Sequence, residues 1–180
     1  MSKYYKEDLE KTYLPEFVYG GIDGAITTFA IISGAMGALL NSTIILILGF
    51  TNLVADGFSM AISNYFSIKS ENELEKNIKI KHKKNELKTA FATFFAFFII
   101  GFMPLISFVV SSITKSHFLI ENQFKYSVIL TGFALIIVGW FEGKITKKGE
   151  IKSSIKTLII GGIAALLAFF VGYFVNSLIL

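Results

Sequence analysis

The chain has 180 residues, of which 53% are hydrophobic, and its 19 phenylalanines outnumber its 17 basic residues, all of which are lysine. Nucleic-acid binding is excluded as a leading function, because no arginine is present to make bidentate contacts with phosphates or bases. Cysteine is absent, which excludes disulfides, thiolate metal sites and cysteine nucleophiles. Such an apolar excess in so short a chain indicates that a lipid bilayer surrounds much of the protein.

Residues 1–16 are charged and rich in tyrosine. Tyr5, Leu9 and Tyr13 repeat at four-residue spacing opposite lysines and glutamates, which fits a short amphipathic helix on the membrane surface. A frayed polar tail fits the composition equally well. Either way, 1–16 is predicted to be a cytoplasmic or interfacial segment before the first membrane span.

Five apolar runs follow, and most are close to or above the roughly 20 residues that a helix needs to cross about 30 Å of hydrocarbon. They predict transmembrane helices at about 17–40, 43–66, 90–113, 124–143 and 156–180. Only Asn41 and Ser42 separate the first two runs, so we expect a tight antiparallel hairpin there. The predicted fold is an all-α integral membrane protein with a five-helix transmembrane domain over 17–180.

Lysine placement predicts how this domain is oriented. Three lysines precede the first helix, seven lie in the linker 69–88 and five follow the fourth helix, whereas the opposite side has only Lys115 and Lys125. Positively charged short loops stay on the cytoplasmic side of a membrane. We therefore expect the N-terminus in the cytoplasm and, after five crossings, the C-terminus outside.

Small residues at four-residue spacing predict where helix backbones approach one another. Such pairs are Gly20 with Gly24, Gly34 with Ala38, Gly57 with Ala61, and Gly161 with Ala165. The first two helices also carry most of the polar residues of the spans, so we expect them to be buried against other helices. Pro104 removes a backbone hydrogen bond in the third helix and predicts a kink.

Ionisable residues inside the spans point to function, because each costs about 2.5 to 3.5 kcal/mol in a bilayer by insertion scales. Asp23 lies six residues into the first run and Asp56 about ten residues before the end of the second. Asp56 also belongs to a series at four-residue spacing, which forms one stripe on a helix face: Asn52, Asp56, Met60 and Asn64.

At a rise of 1.5 Å per residue, Asp23 and Met60 both lie roughly 9 Å from the cytoplasmic edge and could face each other. A carboxylate beside a thioether suits a borderline transition metal, whereas oxygen ligands alone suit magnesium or calcium. These positions therefore predict a metal-translocation site formed by Asp23, Met60, Asp56, Asn52 and Asn64.

Each of these residues also has a structural interpretation. Methionine fills core gaps more often than it binds metal. The two asparagines could form hydrogen bonds between helices, and each aspartate, which precedes a glycine, could cap a broken helix. The prediction of a metal site depends on the combination of these residues on two adjacent helices.

At these positions the sequence resembles the vacuolar iron transporter family. The first helix contains YGGIDGAITTFAIISGAMGA, the second contains LGFTNLVADGFSMAISNYFSIKSENE, and the likeness continues in ATFFAFFIIGFMPLISF and ALIIVGWFEGKITKKGEIKSSIKTLIIGGIAALLAFFVG. The resemblance implies a five-helix homodimer that moves ferrous iron, and often manganese, out of the cytoplasm in exchange for protons. It also implies a path along the dimer interface, with Asp23 and Met60 as family site residues; many members have glutamate where this chain has Asn64.

Plant and parasite members of that family have a long, glutamate-rich cytoplasmic domain after the second helix, whereas about twenty residues connect the helices here. This linker is lysine-rich, and its candidate ligands are Glu71, Glu73, Glu75 and His82. Glu71 and Glu75 share a helix face and form at most a weak metal-collecting site. A solvated loop that fixes membrane topology is the favoured interpretation.

The sequence thus predicts a prokaryotic-type homodimeric exporter of Fe²⁺ or Mn²⁺ in the cell (plasma) membrane, with proton antiport and no cofactor besides the transported ion. A carboxylate can hold a proton when metal is absent, which would couple the two ions. The alternative is a passive divalent-cation channel with the same lining residues. An enzyme is not expected, because neither His82 nor His117 falls within a span and no nucleophilic constellation is present.

Overall fold

A computed structural model describes residues 3–78 and 84–179, and it describes side chains at 13–74 and 84–179. These residues form helices and no strands. The helices are α1 (Lys3–Gly37), α2 (Ser42–Ile78), α3 (Glu86–Phe102), α4 (Ile106–Thr114), α5 (His117–Thr146) and α6 (Glu150–Ile179). A 3₁₀ turn, Met103–Leu105, joins α3 to α4.

Within these ranges, five helical segments are long and apolar enough to cross a membrane, as predicted. They are Tyr13–Gly37, Ser42–Leu74, Glu86–Thr114, His117–Thr146 and Glu150–Ile179. The third segment combines α3, the 3₁₀ turn and α4. The turn contains Pro104, so α-helical hydrogen bonding is interrupted where the sequence predicted a kink.

Two helix boundaries at the predicted cytoplasmic end of the bundle differ from the sequence prediction. α1 is one continuous helix from Lys3 with Pro15 inside it, so no boundary at residue 17 separates an interfacial helix from the first span. α2 continues to Ile78, so the first half of the linker 69–88 is helical instead of a loop. No glycine or proline occurs between Gly57 and Gly101, and nothing in this segment favours an early helix end.

α1 is the central helix, packing most extensively against α3 and α6 and less extensively against α5 and α2. The contact with α3 is close because Gly20 and Gly24 have no side chain: a Cβ at Gly20 would meet the Thr93 carbonyl oxygen at 2.6 Å, and one at Gly24 would meet the backbone of Phe97. At the other end of α1, Gly34 and Gly37 lie against the backbone of α6 in the same way.

α2 follows α1 after a short turn in which Leu39 has a positive φ of 57°. Asn41 Oδ1 accepts a hydrogen bond from the Ile44 backbone N–H at 3.0 Å. The main packing partner of α2 is nevertheless α3, and its Gly57 lies against the rings of Phe94 and Phe97. The predicted hairpin is therefore present as a connection, but α1 and α2 are not each other's principal contact.

α2 and α6 are the most exposed helices. α6 exposes large apolar side chains along its length, and α2 exposes Phe58, Ile62 and Phe66. The expectation that the first two helices are both buried holds for α1 and is wrong for α2 within a single chain. The exposed face of α2 is free for lipid or for another protein chain.

We predict that Gly172→Ala on α6 destabilises the fold, because a Cβ at Gly172 would collide with the Gly34 carbonyl oxygen of α1. The expected loss is about 1–3 kcal/mol, as for other overpacked contacts. Gly162→Ala is the matched control on the same helix, since a Cβ there has nothing within 4 Å. Thermal unfolding of the purified protein in detergent measures the difference, and equal melting temperatures would contradict the prediction.

Candidate functional site

The structure brings Asp23 of α1 close to Asp56 of α2. Asp23 is half-buried, and its carboxylate interacts electrostatically with that of Asp56, which is also half-buried. Among the described residues, neither carboxylate has a salt-bridge or hydrogen-bond partner. Two nearby carboxylates without a cation are unfavourable in a poorly solvated bundle, and a divalent cation would offset both charges.

The two predicted asparagine ligands both contact threonines of neighbouring helices. Asn52 Nδ2 donates to Thr28 Oγ1 of α1 at 3.4 Å, and Asn64 Nδ2 donates to Thr93 Oγ1 of α3. These contacts match the structural interpretation, hydrogen bonding between helices. Each amide oxygen remains as a potential ligand, so a role in metal binding stays a prediction.

Met60 lies at the boundary between the protein core and an open groove. One side of it packs against the core cluster that contains Leu53 and Phe97. It also lines the groove between α1 and α2. The position is therefore compatible with both interpretations of this residue, core packing and metal ligation.

The groove has a volume of about 490 Å³, and most of its lining residues have an oxygen atom in the side chain. It is lined by Pro15, Glu16, Tyr19, Ser59, Met60, Ser63, Asn64 and Ser67. Asp23 and Asp56 are not among these residues. The lysine distribution predicts that this end of the bundle faces the cytoplasm.

Glu16 is the groove residue that the sequence analysis missed, because it was assigned to the polar segment 1–16. The residue is buried, with 8% of its surface exposed. Lys84 Nζ lies 3.1 Å from Glu16 Oε1, whereas Glu16 Oε2 is buried without a hydrogen-bond partner among the described residues. The signal that could have found it is the seven-residue spacing to Asp23, which places both carboxylates on one helix face.

The backbone of Lys84 is anchored to α2. Asn72 Nδ2 donates to the Lys84 backbone carbonyl at 2.9 Å and to Glu86 Oε1 at 2.6 Å. α3 begins immediately afterwards, with Asn85 Oδ1 accepting from the Lys88 N–H as the helix cap. The start of α3 is thus fixed against the cytoplasmic extension of α2.

The predicted weak collecting site, Glu71 with Glu75, stays a prediction because part of it lies outside the described residues. Glu71 and Glu73 are exposed on α2, whereas the Glu75 side chain and all of His82 lie outside the described residues. Among described residues, no group of three or more histidine, cysteine, aspartate or glutamate side chains converges on one point. Among the described residues, the predicted ligands thus fall into two places: the Asp23–Asp56 pair, and Met60 with Asn64 in the groove.

Comparison with known proteins gives a consistent result. The family model described as VIT family matches residues 14–86 and 74–173. A vacuolar iron transporter of Plasmodium berghei is 24% identical over 230 aligned residues, covering 94% of this chain and 84% of that protein. Vacuolar iron transporter homolog 4 of Arabidopsis thaliana is 27% identical, covering 87% of this chain and 81% of that protein. A vacuolar iron transporter of Plasmodium falciparum is 37% identical over 44% of this chain and 28% of its own length.

We predict that Mn²⁺ raises the melting temperature of the purified protein and that Asp23→Asn or Asp56→Asn removes most of that increase. Each variant lacks one of the two charges that the cation would offset. Without metal, each variant should be at least as stable as the parent, because it no longer holds two carboxylates close together. Glu121→Gln, which changes an exposed carboxylate on α5, is the control. A metal-induced shift of unchanged size in both aspartate variants would contradict the prediction.

Proposed function

We propose that this chain, which belongs to the VIT family, exports a divalent transition metal, Fe²⁺ or Mn²⁺, from the cytoplasm. The family and the five membrane-spanning helices make it a multi-pass membrane transporter and not an enzyme. The observation that carries the proposal is the Asp23–Asp56 pair, two neighbouring half-buried carboxylates without a cationic partner among the described residues.

The proposed path begins in the groove between α1 and α2 and continues toward the aspartates. Glu16 and Met60 line the groove, and Asp23 lies seven residues beyond Glu16, about 10 Å further along α1. An ion that enters the groove would meet the Glu16 carboxylate together with hydroxyl and amide oxygens, then the thioether, and then two carboxylates beyond the groove. The two aspartates lie deepest, where the loss of water is greatest.

The donor set supports a transition metal over calcium or magnesium. Met60 supplies a soft sulfur atom beside carboxylate oxygens, and sulfur ligation favours Fe²⁺ and Mn²⁺ over the harder alkaline-earth ions. The relatives are named as iron transporters, which supports a transition metal as the transported ion.

Proton antiport is part of the proposal. A carboxylate binds either a proton or a metal ion, and the two aspartates have no other cation among the described residues. Alternate occupancy of the pair would exchange protons from one side for metal from the other. A passive channel with the same lining is the alternative function, and it requires no such exchange.

A homodimer completes the proposal, because one chain supplies few ligands at any depth and a twofold axis along the membrane normal doubles them. α2 presents small or polar residues at four-residue spacing on its exposed surface: Thr51, Ala55, Ser59, Ser63 and Ser67. Such a stripe suits close helix contact better than contact with lipid. It adjoins the groove, so the dimer interface and the path would share this surface.

The membrane of residence is proposed to be the cell (plasma) membrane. The relatives are named as vacuolar transporters. A transporter in the plasma membrane and one in a vacuolar membrane would both remove metal from the cytoplasm. The lysine distribution supports a cytoplasmic N-terminus in either case.

We predict that Asp23→Asn abolishes Mn²⁺ transport and its dependence on a pH gradient, because the charge that offsets dehydration of the ion is lost.

Met60→Leu keeps volume and apolarity, so the fold should survive while Fe²⁺ and Mn²⁺ rates fall relative to any Ca²⁺ leak. Initial rates in everted membrane vesicles, at matched insertion and with or without a pH gradient, measure both effects. Unchanged selectivity in Met60→Leu would assign this residue to core packing, and transport indifferent to the pH gradient would favour a channel.

We also predict that single cysteines introduced at Ser59 or Ala55 form crosslinks between two copies in membranes. The chain has no native cysteine, so each introduced thiol reports one position. Leu167→Cys on α6, also exposed, is the control and should remain monomeric on a non-reducing gel. Crosslinking at α6 alone would place the dimer axis, and with it the path, on the other side of the bundle.

A further inference from the structure

The Glu16 carboxylate is buried, and only one of its two oxygens has a partner among the described residues. One oxygen meets Lys84 Nζ at 3.1 Å, while the other is buried without a hydrogen-bond partner among the described residues. An unpaired buried acceptor costs about 1–3 kcal/mol. A ligand that engages both oxygens would therefore bind this carboxylate better than the single ammonium group does.

The position of Lys84 allows its ammonium group to move away from Glu16. Its side chain is 39% exposed, in contrast to 10% for that of Glu16, and its ammonium group contacts Glu16 Oε1. Its backbone stays anchored because Asn72 holds the carbonyl oxygen. The ammonium group can thus swing into water without any change in the helices.

Glu16 lines the same groove as Met60 and Asn64, where serine hydroxyls supply further oxygen ligands. A divalent cation in this groove could reach a carboxylate, an amide oxygen and a thioether. Binding there requires the ion to compete with the positive charge of Lys84. The competition is electrostatic, and no covalent step is involved.

We propose that Glu16 is a cation-binding position at the mouth of the groove and that Lys84 is a tethered cation that occupies it until a divalent metal ion displaces it. The proposal rests on the proposed transport function for its place in a path, but binding at Glu16 is separable from transport. Lys84 then sets the metal concentration at which the groove fills. A purely structural ion pair would have no such effect on metal affinity.

The test measures Mn²⁺ binding by isothermal titration to the purified full-length protein that carries Asp23→Asn and Asp56→Asn, so that the deeper pair does not contribute. In this background, Lys84→Gln should tighten binding by about 1.5- to fivefold, the range that corresponds to a partly exposed ion pair. Glu16→Gln should weaken binding several-fold, and Lys84→Gln should have no further effect once Glu16 is replaced. Lys88→Gln, which removes an equal charge from an exposed position of α3, should leave binding unchanged.

Several results would overturn the proposal: no Mn²⁺ binding in this background, equal affinity with and without Lys84, or an equal gain from Lys88→Gln and Lys84→Gln. Size-exclusion profiles and melting temperatures show whether each variant is folded, and Lys84→Arg, which keeps the charge, should bind like the parent. Mn²⁺ uptake by everted vesicles that contain the wild-type chain tests the proposed function separately. Binding that depends on Glu16 in a protein that transports nothing would sustain this inference and reject that function.

Discussion

The rest of the structure depends on how closely α1 approaches the backbones of its neighbours. Where Gly24 meets Phe97 and where Gly37 meets α6, no side chain separates the helices. α1 can therefore occupy the centre of the bundle, and its polar residues are drawn inward with it. Asp23 directly precedes Gly24, so the contact that packs α1 against α3 also fixes the depth and direction of this carboxylate.

Carboxylates in this protein are stabilised to different degrees. Glu16 has one ammonium partner for two oxygens, and Asp23 with Asp56 has no such partner among the described residues. Burial without compensation lowers stability, and such arrangements persist where a ligand supplies the missing charge. Along α1, the paired carboxylate of Glu16 is therefore followed, seven residues later, by the unpaired carboxylate of Asp23.

Much of the architecture could be predicted from the sequence because apolar runs must be helical in a bilayer, where the backbone needs internal hydrogen bonds. The five spans and the resemblance carried by the motifs around Asp23 and Met60 are confirmed. Helix ends were harder to predict, since Pro15 and the polar segment 69–78 look like boundaries and are helical. Glu16 was missed because it lies in the charged segment 1–16, and because its partner Lys84 is 68 residues away along the chain. The roles of Asp56, Asn52 and Asn64 toward a metal remain predictions.

The length of α2 has a mechanical consequence. Its 37 residues extend about 55 Å, well beyond the roughly 30 Å hydrocarbon layer, so its final turns form a rigid arm outside the membrane. Asn72 connects this arm to the Lys84 carbonyl oxygen and to Glu86 at the start of α3. A small change in the tilt of α2 within the bilayer is therefore magnified at the arm and pulls directly on the backbone that carries Lys84. Bilayer thickness influences helix tilt, so a change in thickness would reach the backbone of Lys84 by this route.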